Sequence, residues 1–258
     1  MQDAVLLTRD GPVATIALNR PDRLNALDLA MWRRLGDAVA ELGRATDLRC
    51  VRVTGSGEAF AAGADLAEFP TRRASRADAE VYGTVMVTAL HGLRDLAVPT
   101  VAEIRGPCIG AGLEIAIMCD LRLAAASSRF GVPIQRVGVV MPYPELAELI
   151  GLVGRATALE ILLEGRVFDA AEAARKGLVT RVLPDAELAS ETAAAIARIV
   201  EGAPSAHRLH KKFARRLLDP RPLGREELAE CYGAVESGDY RAGIEAFLAK
   251  RKPVFPGR

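Results

Sequence analysis

The chain has 258 residues, of which 50% are hydrophobic and 26% are charged. A chain of this length forms one large domain or two small ones, and this composition is that of an ordinary globular protein. With 34 Lys and Arg against 33 Asp and Glu, the formal net charge is +1. No overall charge draws the chain to nucleic acid or to an anionic membrane. No apolar run in the sequence reaches the roughly 18 residues that a membrane-spanning helix needs.

Cysteine usage and the first residues bear on the cellular compartment. The sequence has no CxxC pair, and three of its four cysteines lie in apolar or strand-like runs; the four are Cys50, Cys108, Cys119 and Cys231. This spacing is typical of reduced, buried thiols in an intracellular protein rather than of a disulfide framework. The chain begins Met-Gln-Asp-Ala, which lacks the basic-then-apolar order of a signal peptide. We therefore expect a cytoplasmic protein.

Strand and helix patterns alternate through the first half of the chain. A hairpin is predicted over residues 1–20, around the turn residues Arg9-Asp10-Gly11-Pro12. Asp28 is the predicted N-cap of a helix with a regular apolar stripe. Further predictions are strands at 51–53, 101–105 and 121–125, helices at about 78–96 and 110–119, and a polar, mobile surface segment at 67–80. This alternation predicts an α/β layer.

The second half of the chain is almost entirely helical in pattern after residue 144. A short helix is predicted between Asp169, its N-cap, and Gly177, just past its end. A last strand follows at 178–183, and helices are expected near 185–201, 204–217, 225–236 and 239–250. The sequence thus predicts an α/β core over residues 1–200 that carries the ligand site, and a helical C-terminal region over residues 201–258.

Several common chemistries lack the residues that they need. The two glycine clusters, Gly55-x-Gly57 and Gly110-x-Gly112, lack the third glycine of a dinucleotide-binding loop. No Walker loop is present in the sequence. His207 and His210 lie three residues apart without carboxylates or thiols nearby in the sequence, which is a poor set of metal ligands. No metal site, nucleotide site or catalytic triad is therefore expected.

Two segments rich in small residues follow predicted strands, at 60–66 and at 110–114. Open α/β sheets bind ligands outside the carboxyl ends of their strands, and small residues let backbone N–H groups approach a ligand closely. The second segment also begins a helix, whose free N–H groups suit a developing negative charge. Two such amides that point at one atom would form an oxyanion hole. Tight packing of strand against helix is the alternative explanation for both segments.

Spaced motifs occur in order along nearly the whole chain. They are Asn19-Arg20-Pro21 with Asn25-Ala26-Leu27, FAAGADL at 60–66, GPCIGAGLEIAIMCD at 106–120, Phe130-Gly131-Val132-Pro133, the segment 169–179, and Asp239-Tyr240-Arg241 with 246–253. Together they resemble the motifs of the crotonase superfamily, also called the enoyl-CoA hydratase/isomerase superfamily. The resemblance implies an α/β protein of the crotonase (ClpP-like) fold, with stacked β-β-α units and a C-terminal helical trimerisation region. It also implies a homotrimer or a homohexamer.

The resemblance implies that the substrate is an acyl-CoA thioester. Family members polarise the thioester carbonyl with two backbone N–H groups, which at the matching positions belong to Ala64 and Ala111. An enolate-like oxygen forms in the transition state, and fixed donors stabilise it more than they stabilise the ground-state carbonyl. Many members have glycine where this chain has Ala111, whose methyl group would narrow the acyl pocket. Coenzyme A enters as part of the substrate, so no separate cofactor is expected.

By the same resemblance, contacts to the substrate come from several parts of the chain. The backbone of the first small-residue segment would hold the CoA adenine, and residues 23–26 would run beside the pantetheine and phosphates. Phe247 and Lys250 would reach the nucleotide bound to a neighbouring subunit; for Phe247, a place in a helix core is the alternative. The residues implied in binding are Arg23, Leu24, Ala26, Ala62, Asp65, Leu66, Gly110, Ile134, Phe247 and Lys250.

The acid–base residues decide which reaction is expected. Glu114 matches the first glutamate of the family, and a carboxylate there activates water as a general base. The second glutamate of hydratases follows the F-G-x-P motif, where this chain has Ile134. Glu145 is a candidate replacement at a predicted helix start, where the helix dipole favours its ionised form and so a base more than an acid. A surface carboxylate is the alternative for Glu145, and Tyr143 and Glu148 are weaker candidates.

The resulting prediction is an acyl-CoA enzyme most like an enoyl-CoA hydratase, which adds water to a trans-2-enoyl-CoA by syn addition. Three alternatives stay open: an enoyl-CoA isomerase, another CoA-thioester reaction such as hydrolysis or retro-aldol cleavage, and a non-hydrating member that binds CoA or RNA. One branch of the family binds RNA through a basic helix. The first predicted helix here has arginines offset by Asp37 and Glu41. Neither a nucleic-acid nor a membrane partner is therefore expected.

Overall fold

The computed structural model describes residues 3–257; Met1, Gln2 and Arg258, which belong to the predicted hairpin and to the two predicted regions, lie outside the described residues. The strands are β1 Val5–Asp10, β2 Val13–Leu18, β3 Cys50–Gly55, β4 Thr100–Ile104, β5 Pro107–Ile109, β6 Leu121–Ala125, β7 Arg129–Gly131, β8 Phe168–Asp169 and β9 Arg181–Leu183. The helices are α1 Leu29–Leu42, α2 Phe69–Arg72, α3 Arg76–Asp95, α4 Ala111–Ile117, α5 Tyr143–Val153, α6 Arg155–Glu164, α7 Ala170–Arg175, α8 Leu188–Glu201, α9 Pro204–Arg216, α10 Arg225–Glu230 and α11 Gly238–Leu248.

Six strands form the main sheet, in the order β1-β2-β3-β4-β6-β9. β1 and β2 form the predicted antiparallel hairpin, and every other neighbouring pair in this sheet is parallel. All of β4 is buried, as is typical of a central parallel strand covered on both faces. Because β3 and β4 are parallel, their carboxyl ends meet at one edge. The first loop (residues 56–66) and the second loop (residues 105–112) begin at that edge.

Helices cover both faces of the main sheet. On one face, α8 packs its apolar residues against Val101 of β4 and Leu123 of β6. The larger core lies on the other face and contains the buried Trp32 of α1 and Tyr82 of α3. The predicted apolar stripe of α1 faces this core. Asp28 caps the N-terminus of α1, because its side chain accepts a hydrogen bond from the Met31 N–H at 2.8 Å.

A second sheet of three strands, in the order β5-β7-β8, has no counterpart in the sequence-based prediction. Its strands have only two or three residues each, which is too short for a periodic pattern. β5 pairs in parallel with β7, and an isolated bridge joins Ala61 of the first loop to Cys108 of β5. This small sheet therefore holds the second loop beside the first.

The segment at 67–80, predicted as a mobile surface segment without a periodic pattern, is helical over most of its length, and most of its side chains are at the surface as predicted. Residues 66–68 form a 3-10 turn, α2 follows, and α3 starts after Ser75, which forms a capping box with Asp78. Phe69 of α2 packs edge-to-face on Tyr82 of α3, with ring centroids 5.9 Å apart. Most other side chains of the segment are exposed. A single helical turn with one inward-facing aromatic residue has no repeating apolar pattern, so the sequence did not predict a helix here.

The structure bears on two expectations from the sequence: buried free thiols, and no membrane-spanning helix. All four cysteines are free thiols, and three are buried as predicted, whereas Cys231 is exposed because it follows α10, which has no buried residue. In the part of the chain that the structure describes, no helix combines the length and the apolar character needed to cross a bilayer.

The C-terminal region consists of α9, α10 and α11, and it leaves large apolar side chains exposed. Phe247, at the end of α11, is 80% exposed, so the alternative that it belongs to a helix core is wrong. Lys211 of α9 joins this region to the main sheet, because its Nζ lies 2.7 Å from the Asp120 carboxylate and donates to the Val98 carbonyl at 2.8 Å. The division into two domains near residue 200 stays a prediction.

Asn25 ties the segment before α1 to the first loop. Its side chain is fully buried; Nδ2 donates to the carbonyls of Ala59 at 2.7 Å and Ser56 at 3.0 Å, and Oδ1 accepts the Arg20 N–H at 2.9 Å. Its backbone has a φ of 57°, in the left-handed region that asparagine tolerates better than most residues. Asn25 therefore fixes the first loop from beneath.

We expect Asn25→Ala to lower the free energy of unfolding by about 2–4 kcal/mol, because it leaves buried carbonyls unpaired and puts alanine at a left-handed position. Chemical denaturation measures this difference. Asn19→Ala is the control: its Nδ2 donates to the exposed Asp3 carbonyl at 2.9 Å, and its loss should cost below about 1 kcal/mol. Equal unfolding free energies for the two variants would contradict this role of Asn25.

Candidate active site

The first and second loops are joined by a short run of backbone hydrogen bonds. The Ala61 N–H donates to the Pro107 carbonyl at 2.9 Å, and the Ile109 N–H donates to the Ala61 carbonyl at 3.0 Å. This register brings Gly63 of the first loop opposite Gly110 of the second. A Cβ built on Gly110 would lie 3.8 Å from the Gly63 Cα. The residues that follow these two glycines are Ala64 and Ala111.

Glycine is needed where α4 approaches the first loop. A Cβ on Gly112 would lie 2.5 Å from the Ala61 carbonyl oxygen, closer than non-bonded atoms allow. Gly110 has a φ of 50°, and its N–H donates to the Gly131 carbonyl at 2.9 Å, which turns the chain into α4. Tight packing and an oxyanion hole were alternatives in the sequence. In the structure the packing itself brings the start of α4 to the first loop.

The backbone amides of Ala64 and Ala111 have no acceptor among residues 3–257. Ala111 is the first residue of α4, where an N–H has no partner within the helix. Ala64 lies opposite Leu27, but that bridge uses its neighbours: the Leu27 N–H donates to the Gly63 carbonyl and the Asp65 N–H to the Leu27 carbonyl, both at 2.8 Å. Two unused donors on adjacent turns are the groups that an oxyanion hole requires.

Glu114 lies in the first turn of α4, three residues after Ala111. Its side chain is buried, and its carboxylate accepts no hydrogen bond from the described residues. Burial and, to a smaller extent, the negative charge of Glu145 raise the pKa of Glu114, the positive charge of Arg73 lowers it, and the net result is a pKa of about 7. A carboxyl with a pKa near neutrality can both take and give a proton at physiological pH.

Glu145 lies in the first turn of α5 and is fully buried, so the alternative of a surface carboxylate is wrong. Neither carboxyl oxygen has a hydrogen-bond partner among the described residues. Burial raises the pKa of Glu145, whereas the sequence analysis expected the helix dipole to favour the ionised form. Desolvation outweighs the dipole and the interaction with the backbone N–H of Glu145 itself, which lowers the pKa. Compared with an exposed glutamate, Glu145 is shifted toward the protonated form that a general acid needs.

Arg73 is a charged group near this pair that the sequence analysis missed. It directly follows α2, and its guanidinium carbon lies 4.7 Å from the centroid of the Phe69 ring. Its positive charge lowers the pKa of Glu114. The signal in the sequence was the pair Phe69 and Arg73 at helical spacing, four residues apart, which favours a cation–π contact. Because residues 67–80 were predicted to be a mobile segment, this helical spacing was not considered.

The residues predicted to bind CoA in the first loop have part of their backbone already in use. The Ala62 N–H donates to the Leu24 carbonyl at 2.9 Å, which places residues 23–26 beside the first loop. Asp65 forms an ion pair with Arg20 at 3.0 Å and uses its own N–H on Leu27. Arg23, Leu24 and Leu66 are exposed, and Ala26 is half-buried. A ligand here would meet carbonyl groups and exposed side chains rather than the amides of Ala62 and Asp65.

The remaining predicted residues lie in two places. Ile134 is half-buried at the start of a 3-10 turn over residues 134–137. Its apolar side chain packs on the core at the position where hydratases have their second glutamate. Phe247 and Lys250 are exposed at the end of α11, and Lys250 has a φ of 52°. The contact of these two with a neighbouring subunit's nucleotide stays a prediction. Within the described residues, no three His, Cys, Asp or Glu side chains converge as a metal site requires.

The residues that line a cavity of about 1060 Å³ include neither loop and neither of the two buried carboxyl groups. It is bounded by the end of α3, by α9 and by the segment from Leu217 to Cys231, with Arg94 and Lys211 among its lining residues. None of its lining residues carries an unused backbone donor of the two loops.

Comparisons with known proteins agree on one family. The sequence model described as enoyl-CoA hydratase/isomerase matches residues 8–258. The chain is 35% identical to a protein of Mycobacterium tuberculosis named "Probable enoyl-CoA hydratase echA8", with 99% of both chains covered. It is 30% identical to the short-chain-enoyl-CoA hydratase of Clostridium acetobutylicum, over 96% of this chain and 95% of that protein.

Solved structures give the same result for the fold. A crystal structure described as an enoyl-CoA hydratase/carnithine racemase from Magnetospirillum magneticum superposes with a TM-score of 0.97 at 50% identity, covering 100% of this chain and 97% of that one. The enoyl-CoA hydratase of Bacillus anthracis superposes with a TM-score of 0.92 at 28% identity, covering 99% and 100%. The predicted crotonase fold is confirmed.

The proximity of Glu114 and Glu145 has a measurable consequence. We expect Glu145→Gln to lower the pKa of Glu114 below 7, because the negative charge that raises it is gone while the attraction of Arg73 remains. Titration of carboxyl ¹³C signals by NMR measures the value. Glu148→Gln, one turn further along α5, is the control and should leave the pKa of Glu114 unchanged. An unaltered value in Glu145→Gln would contradict the coupling of the two carboxyl groups.

Proposed function

Because the chain belongs to the enoyl-CoA hydratase/isomerase family, we propose that it hydrates a trans-2-enoyl-CoA by syn addition of water. It is an acyl-CoA enzyme of the lyase and isomerase type. The observation that carries the choice of hydration is the second buried carboxyl group. Hydration uses two carboxyl groups. Ile134 cannot provide the second one, whereas Glu145 provides a buried carboxyl group near Glu114.

The thioester carbonyl oxygen would accept hydrogen bonds from the N–H groups of Ala64 and Ala111. Attack of water at the β-carbon moves electrons onto that oxygen, which becomes enolate-like. Both donors are free of other acceptors in the described chain and need no rearrangement to meet this charge. A single donor of this kind is typically worth roughly 3–4 kcal/mol of barrier height.

The two carboxyl groups would divide the proton transfers. Ionised Glu114 takes a proton from water while the water oxygen bonds to the β-carbon, and protonated Glu145 gives a proton to the α-carbon. The pKa values of both groups are raised, so the pair can hold one proton at neutral pH, and the reactive state is the one in which that proton lies on Glu145. A return of the proton from Glu114 to Glu145, directly or through water, restores the starting state. Both hydrogens added to the substrate then derive from water.

An enoyl-CoA isomerase is the nearest alternative, and it would use the same amides. Such an enzyme needs one carboxyl group that carries a proton between C2 and C4 of the acyl chain. A buried second carboxyl without a hydrogen-bond partner has no part in that shuttle. Burying an unpaired carboxyl group costs stability, so its retention favours the reaction that uses it.

The assembly and setting of the enzyme are part of the proposal. Exposed apolar side chains on the C-terminal helices, including Leu228, Tyr232 and Phe247, are suited to contacts between subunits of a homotrimer or homohexamer. Coenzyme A would enter with the substrate, and the acid–base steps require no further cofactor. The three buried free thiols favour a reducing compartment, which supports a cytoplasmic location.

Incubation with crotonyl-CoA tests the reaction directly. We expect loss of the conjugated-enoyl absorbance, and a decrease of about 10²–10⁴-fold in kcat for Glu114→Gln and for Glu145→Gln because each removes one proton transfer. Glu187→Gln, at the exposed start of α8, is the matched control and should keep the wild-type rate.

Two results would count against hydration. A gain of conjugated absorbance from a 3-enoyl-CoA, without loss from crotonyl-CoA, would select isomerisation. A wild-type rate in Glu145→Gln, with hydration intact, would remove Glu145 from the mechanism.

A further inference from the structure

Arg73 is held by aromatic faces rather than by a carboxylate. Its guanidinium carbon lies 4.7 Å from the ring centroid of Phe69 and 5.6 Å from that of Tyr82. The two rings pack edge-to-face at an interplanar angle of 72°, and Tyr82 is buried, so the support is fixed. A cation–π contact uses the face of a guanidinium group and leaves the N–H donors along its edge free.

Those N–H donors form no hydrogen bond with the described residues. Among residues 3–257, the Arg73 side chain forms no ion pair within 4.0 Å and donates no hydrogen bond, although it is half-buried. Two carboxyl groups lie five residues from Arg73 along the chain: Asp78 is hydrogen-bonded to Ser75, and Glu68 lies beside the Tyr82 hydroxyl. Burial raises the pKa of Glu68, which weakens it as a counter-charge for Arg73. A half-buried arginine without a partner has a strong preference for an incoming anion.

The position of Arg73 relates this free cation to the reacting end of the substrate. It follows α2, whose Phe69 packs on the same apolar core as Ala64 and Ala111 of the two loops, and its charge acts on the carboxyl group of Glu114. Because the proposed function places Glu114 at the β-carbon, a group bound by Arg73 would lie beyond that carbon. By the family resemblance, the methyl group of Ala111 would also narrow the acyl pocket. The acyl chain that fits both features is short.

We propose that Arg73 selects an acyl group that ends in a carboxylate, so that the substrate is the mono-CoA thioester of a short unsaturated dicarboxylic acid. This inference rests on the proposed function. The two edge N–H groups of the guanidinium would form a forked pair with the terminal carboxylate. That pair offsets the repulsion between this carboxylate and the Glu114–Glu145 pair. A plain alkyl end would instead bury the cation unpaired, which is unfavourable.

Binding of unreactive saturated thioesters tests this selectivity apart from turnover. Glutaryl-CoA and pentanoyl-CoA have acyl chains of equal length, and only the first ends in a carboxylate. By calorimetry we expect the wild type to bind glutaryl-CoA about 30-fold more tightly than pentanoyl-CoA. Arg73→Met should abolish the preference, and Arg73→Lys should keep part of it because the charge remains but the fork is lost. Arg72→Met, at the exposed neighbouring arginine, should keep it in full.

Each possible result bears on the inference. Equal wild-type affinities for the two ligands, or an equal loss in Arg72→Met and Arg73→Met, would overturn it. If Arg73→Met fails to fold, retention of the full preference by Arg73→Lys would overturn the forked contact, and partial loss would support it.

Turnover separates this inference from the proposed function. With trans-glutaconyl-CoA and trans-2-pentenoyl-CoA, we expect hydration of both and a higher kcat/KM for the first. Hydration of both at equal kcat/KM would overturn the selectivity and leave the hydratase assignment standing. Hydration of neither would overturn the proposed function, and with it the substrate that the inference names.

Discussion

The site depends on the backbone ladder between the first and second loops. Ala61 exchanges hydrogen bonds with Pro107 and Ile109 across the gap between them. This pairing aligns Gly63 with Gly110 and leaves the next amide on each side without an acceptor among the described residues. Each loop follows a strand of the main sheet, and Asn25 fixes the first loop from beneath. The donors are therefore positioned by paired backbone and by one buried side chain rather than by mobile side chains.

The second constraint is electrostatic. Two carboxyl groups lie buried at the starts of α4 and α5, and each helix start provides a dipole that favours a negative charge. Burial nevertheless raises the pKa of both Glu114 and Glu145, because desolvation of each carboxyl group outweighs the groups that lower its pKa. At neutral pH such a pair can hold one proton between them, which is the state that syn addition of water requires. Burying these two carboxyl groups lowers the stability of the fold, and both lie at the site of the proposed proton transfers.

Much of the fold could be predicted from the sequence because its signals are local. Asp28 and Asp169 cap their helices as predicted, since an N-cap needs only its own side chain and the next turn. The strands of the small sheet could not be predicted, because their two or three residues are defined by partners far along the chain. The segment from 67 to 80 was misassigned for a related reason. Its order comes from the contact of Phe69 with Tyr82, which periodicity does not report.

The candidate site divides in the same way. Motif positions indicated Ala64, Ala111 and Glu114, because a backbone donor and a helix-start carboxylate belong to contiguous segments. For Glu145, the sequence left open whether the side chain was exposed, and only the packing of α5 shows that it is buried. The sequence analysis missed Arg73, because its importance comes from a charge on another helix and from the absence of a partner in the described chain. Local pattern specifies which groups exist, and tertiary packing specifies their protonation and their neighbours.

The central claim is that two backbone amides converge on one thioester oxygen. Isotope-edited infrared spectroscopy of butyryl-CoA, labelled with ¹³C at the thioester carbonyl, measures this in the bound state. If both amides donate to the oxygen, the carbonyl stretch of the bound ligand lies at a lower wavenumber than that of the free ligand in water, because the C=O bond is polarised. A bound stretch at the same wavenumber as in water, at saturating protein, would contradict the account.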